Sequence, residues 1–123
     1  TKARGVFLQV IAGLQFCHKL HSFNRVRLGD WMLYLKPDNI LIDRDTLQVK
    51  LGAFGFTSVN NMWAEVMSSS MEGTGYFAYA APEIALVQYQ AYACPQLVDV
   101  WNLGVLLYLM LTGAFPFLGQ TDE

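Results

Sequence analysis

The chain has 123 residues, of which 54% are hydrophobic and only 15% charged, against roughly 25% charged in an ordinary soluble domain. The surplus of apolar surface calls for a partner or favours self-association. A net charge of -2 excludes the basic stripe that nucleic acid requires and the polybasic segment that holds an anionic membrane. The length suffices for one domain with a real core. Cys17 and Cys94 lie far apart with no secretory leader, which fits a reduced, intracellular (cytoplasmic) protein better than a disulfide framework.

Val6, Phe7, Val10, Ile11, Leu14 and Cys17 recur at helical spacing, with Gln9, Gln15 and Lys19 elsewhere on the wheel. This predicts an amphipathic helix ending near His18. Residues 40–42 and 47–51 are short β-prone runs joined by Asp43-Arg44-Asp45-Thr46; Leu47, Val49 and Leu51 alternate with Gln48 and Lys50. A hairpin follows, with Asn39 at one end and Ala53 at the other. Residues 55–75 are rich in Ser, Asn, Thr and Met without a period, which reads as a long loop. Residues 98–111 then form a second, largely buried helix ended by Thr112-Gly113. The uncharged stretch 103–119 is about the shortest length that spans a bilayer. Gly104, Gly113 and Pro116 within it, and Asp99 before it, favour a core helix instead. The expected fold is mainly α with one small β-hairpin.

The order Leu-Lys-Pro-Asp-Asn (35–39), Phe-Gly (54–55), Gly-Thr (73–74), Ala-Pro-Glu (81–83), Asp-Val-Trp (99–101), Leu-Thr-Gly (111–113), Pro-Phe (116–117) resembles the large lobe of a protein kinase. Lys36 before Asp38-Asn39 is similar to the serine/threonine branch. Val49-Lys50-Leu51-Gly52 and Leu111-Thr112-Gly113-Ala114-Phe115-Pro116 look similar to the SH3-binding-domain kinase subfamily. The resemblance implies a truncated kinase-like C-terminal lobe over residues 1–123, about half of what a two-lobed kinase needs, with the small lobe and the final helices absent. The glycine-rich loop and strand lysine of that family are not found in these residues. Thr1 in place of a methionine, and an end shortly after Pro116-Phe117, suggest that both ends are cut.

Phosphoryl transfer in this family needs one carboxylate by the attacking hydroxyl and another on the magnesium ions. Counting back from Leu35 places the family's His-Arg-Asp at Met32-Leu33-Tyr34; counting forward from Cys17-His18 places it at Asn24-Arg25-Val26. Neither register supplies the aspartate, so the base position is degenerate at Tyr34 or Val26. The counts differ by an insertion, Arg27 to Tyr34, whose one carboxylate, Asp30, reads either as a displaced base or as the tip of a Gly29-Asp30 turn. Ala53, Phe54 and Gly55 match the family's cofactor-binding Asp-Phe-Gly with the aspartate lost.

Lys36 matches the lysine beside the transferred phosphate. Asn39 matches the amide ligand of magnesium, the bland alternative being a turn residue that opens the next strand. A neutral amide without a carboxylate should hold magnesium poorly. Thr74, Ala81, Pro82 and Glu83 match the end of an activation segment, about two residues longer than usual. Glu83 pairs in the family with an arginine from a later helix. Ser68, Ser69, Ser70 and Thr74 read as phosphosites or as a plain solvated loop. Asp99 matches the aspartate that holds the catalytic-loop backbone, or is a helix-end charge favoured by the dipole.

The reading is therefore a fragment of a serine/threonine protein kinase domain, a transferase family using Mg-ATP, inactive as written and binding no nucleotide. Its partner is a protein substrate or another protein. The rival readings are a pseudokinase-type interaction module and a decayed or misassembled gene product, the latter prompted by the foreign-looking block 22–34.

Overall fold

The computed structural model describes residues 1–23, 31–32, 35–52, 57–58, 78–85 and 94–117. Helix α1, Lys2–Phe23, starts beside the Thr1 hydroxyl, which accepts the Arg4 N–H at 3.3 Å. Val6, Val10, Leu14 and Cys17 form its buried face, as their spacing requires. The helix passes the expected end near His18. Between Gly13 and Phe23 there is neither glycine nor proline to stop it, so the end of the apolar stripe does not end the helix.

Strands β2 (Ile40–Ile42) and β3 (Val49–Leu51) pair antiparallel in the register Ile40↔Leu51, Leu41↔Lys50, Ile42↔Val49. The connecting turn is built around Asp43. Its Oδ1 accepts the Thr46 N–H at 2.7 Å, the Thr46 hydroxyl at 2.8 Å and the Asp45 N–H at 3.0 Å. These bonds, led by the Thr46 N–H, hold the carboxyl below the usual aspartate range. Leu47 donates its N–H to the Asp43 carbonyl at 2.9 Å and adopts a left-handed φ of 57°. The second strand therefore begins at Val49 rather than at Leu47, because a left-handed residue cannot continue a pleat.

Strand β1, Trp31–Met32, pairs antiparallel with β4, Thr57–Ser58. This corrects the expectation of an unbroken loop over 55–75 at its beginning. Two residues carry too short a pattern to show alternation. A single turn of helix, α2 (Pro82–Ala85), precedes α3, Pro95–Thr112. Pro95 suits the first helical position, where its missing N–H is not needed. Gly113 closes α3 in the left-handed conformation at φ 72° and donates its N–H to the Leu109 carbonyl at 2.8 Å. Among the described residues no helix is long and apolar enough to cross a membrane.

The core lies where α1, α3 and the β2–β3 hairpin meet. Val10, Leu35 and Leu106 are buried together, with Phe7, Ile40, Val49, Leu51, Leu103 and Met110 packed around them. Leu51 and Leu103 also pack on Leu14 and Cys17, joining the two clusters. Gly13 permits this approach: a Cβ there would meet Leu51 Cδ1 at 2.9 Å.

Candidate functional site

Leu35 is 1% exposed, and its burial in the core fixes the start of the segment that carries Lys36 and Asn39. Lys36 is extended, and Pro37–Asn39 form a 3₁₀ turn closed by the Asn39 N–H on the Lys36 carbonyl at 3.0 Å. The Asn39 carbonyl accepts the Gly52 N–H at 2.7 Å, so the chain just before Ala53 is tied to the chain at Asn39. Lys36 Nζ stands 4.0 Å from the largely exposed Asp38 carboxylate, too long and too solvated to add much stability.

Tyr34 and Ala53 themselves lie outside the described residues, as do Val26, Asp30, Phe54, Gly55, Thr74, Ser68, Ser69 and Ser70. The chain around the first two is nevertheless paired on both sides. Trp31↔Ser58 and Met32↔Thr57 join the strands before Tyr34 and after Ala53. Ile40↔Leu51 and the Gly52–Asn39 bond join the strands after Tyr34 and before Ala53.

The chain leading into Ala81-Pro82-Glu83 packs on Phe115, just past the end of α3. Ala81 is fully buried and Tyr79 nearly so, its ring edge-on to Phe115 with centroids 5.1 Å apart. Burial, and secondarily the charge of Asp38, push the Tyr79 phenol up to about 12. The charge of Asp38 thus reaches Tyr79. Glu83 is half-buried in the first turn of α2, and among the described residues no cation pairs with it.

Asp99 is 1% exposed and lies beyond the first turn of α3, so it is not an exposed helix-end charge. Its Oδ2 is 2.8 Å from His18 Nε2, which ties the C-terminal part of α1 to the N-terminal part of α3. Burial, reinforced by the charge of Asp99, raises the Cys17 thiol above its ordinary value. Sequence reasoning missed His18 as a functional neighbour, although its position one residue after Cys17 put it at the edge of the buried face of α1. It also left Gln9 on the polar side of the wheel. In the structure the Gln9 amide accepts the Val49 N–H at 3.1 Å and donates to the Leu47 carbonyl at 3.0 Å, in the manner of a neighbouring strand along the edge of the hairpin.

Among the described residues no group of three or more His, Cys, Asp or Glu side chains is placed to hold a metal ion. Asn39 brings a neutral amide, and position 53 brings a methyl group. A magnesium ion prefers an octahedral oxygen shell with at least one carboxylate, so the residues present do not fit it.

The model of the protein kinase domain matches residues 1–123. The carbon catabolite-derepressing protein kinase of Candida tropicalis is 38% identical over 116 residues, 94% of this chain and 16% of that protein. The SNF-related serine/threonine-protein kinase of Rattus norvegicus is 35% identical over 122 residues, 98% of this chain and 14% of that protein. Among solved structures, Rad53 in complex with AMP-PNP superposes with a TM-score of 0.63 at 32% identity, over 98% of this chain and 25% of that one. The chain thus spans less than a fifth of the length of these two kinases. They lend no support to the likeness that residues 49–52 and 111–116 bear to SH3-binding-domain kinases. The fold, the matched motifs and these relatives together place the chain in the protein kinase domain family, on its serine/threonine side.

Proposed function

We propose that residues 1–123 are the large-lobe portion of a serine/threonine protein kinase domain that, as written, transfers no phosphate. The observation that carries this reading is the pair Tyr34 and Ala53, which stand where the family has its two chemical carboxylates. The strand pairings on either side of both positions support the register ending at Tyr34 over the one ending at Val26. Lys36 and Asn39 keep their family identities, as do Phe54, Gly55, Thr74, Ala81, Pro82 and Glu83. Without the two carboxylates they have no proton acceptor and no metal anchor to work with. Loss of a general base alone costs about 10²- to 10⁴-fold, and loss of metal-based charge stabilisation costs several kcal/mol more. A family rate of about 1 to 100 per second would fall close to background. An intracellular setting fits the two free cysteines.

The test is a radiolabel assay with Mg-ATP and generic serine/threonine substrates, run beside a melting experiment. No transfer above a boiled control is expected, and no melting shift. A ligand at a hundred times its dissociation constant would add about 2.7 kcal/mol of stability, so binding would be visible. Transfer that disappears in Asp30→Ala or Asn39→Ala would overturn the proposal and make the insertion a substitute base.

A second reading, an interaction module, is favoured by the solvent face of α3, where Leu97, Val100, Gly104, Tyr108 and Leu111 present no charge. The decayed-gene alternative is less favoured, since Trp31–Met32 within the block 22–34 takes part in regular pairing. Sequencing the transcript across codons 20–36 separates the two; a splice form restoring His-Arg-Asp before Leu35 would assign the block to misassembly.

A further inference from the structure

We draw no further inference here: the strongest candidate, the His18–Asp99 side-chain pair that ties the C-terminal part of α1 to the N-terminal part of α3, belongs to the site already described.

Discussion

Gln9 and Tyr79 show how single side chains set the frame of the site. Gln9 is exposed, yet its amide supplies both an acceptor and a donor to the hairpin edge. A typical hydrogen bond contributes about 0.5–1.5 kcal/mol, and exposure puts these at the lower end. Gln9→Leu is therefore expected to cost about 1 kcal/mol in denaturant melts and to speed exchange of the Val49 amide proton, with α1 unchanged by circular dichroism. Tyr79 gives a pH signature. Its phenol titrates at about 12 in the folded chain against 10.0 in its ordinary state, so the stability it carries is full below pH 10 and is lost as the pH rises towards 12. Wild type should lose stability faster than Tyr79→Phe across that window in alkaline melts; parallel curves would refute the assignment. Asn102 is a cost of another kind, because it is fully buried and, among the described residues, neither its amide nitrogen nor its oxygen has a hydrogen-bond partner.

At the scale of elements, α1 is held by what it packs on as much as by its own propensity. Its two glycines, Gly5 and Gly13, differ in just this respect. A methyl group at Gly5 would meet nothing within 4 Å, whereas one at Gly13 would meet Leu51 Cδ1 at 2.9 Å and Cγ at 3.2 Å. Alanine in place of glycine in a helix gains roughly 0.5–1 kcal/mol. Gly5→Ala should realise the smaller part of that gain, being near the helix start, and raise the melting temperature by a few degrees. Gly13→Ala should gain nothing or lose, since Leu51 must shift and Leu51 joins the two core clusters. If both variants gained equally, the close packing of α1 on β3 would be wrong.

For the whole molecule, position matters more than identity. On the proposed reading, Tyr34→Asp with Ala53→Asp supplies the two carboxylates of the chemistry, yet effective catalysis needs groups in near-attack geometry, where an error of about 1 Å can cost about a hundredfold. The double variant is expected to stay inactive. Deleting residues 27–34 while writing His-Arg-Asp over Asn24-Arg25-Val26, with aspartate at 53, should gain activity only when fused behind a kinase small lobe. The β1–β4 pairing complicates that deletion, because it removes Trp31 and Met32 and with them the partner of Thr57–Ser58. A second fusion that keeps residues 27–34 and restores His-Arg-Asp at Met32-Leu33-Tyr34 is the matching experiment. Whichever of the two incorporates phosphate identifies the register, and activity in the unfused double variant would show that the chain binds ATP unaided.

Both long helices, the β2–β3 hairpin and the kinase motifs were legible in the sequence because each is a local pattern. Valines and leucines at helical spacing mark α1 and α3, Asp43 to Thr46 mark the turn, and contiguous residues spell the motifs. That positions 34 and 53 carry tyrosine and alanine rather than aspartate is a matter of identity, and so is read without any structure. Tertiary structure alone decided the rest. His18 meets Asp99 across 81 residues, and Gln9 meets the hairpin across 38 and 40. Partners so distant are chosen by how α1 packs on α3 and on β3, and that choice leaves no period in the chain. The β1–β4 bridge is too short to carry alternation, and the left-handed Leu47 is imposed by the Asp43 turn rather than by leucine's own preference. Local propensity writes the elements; long-range packing selects which side chains meet.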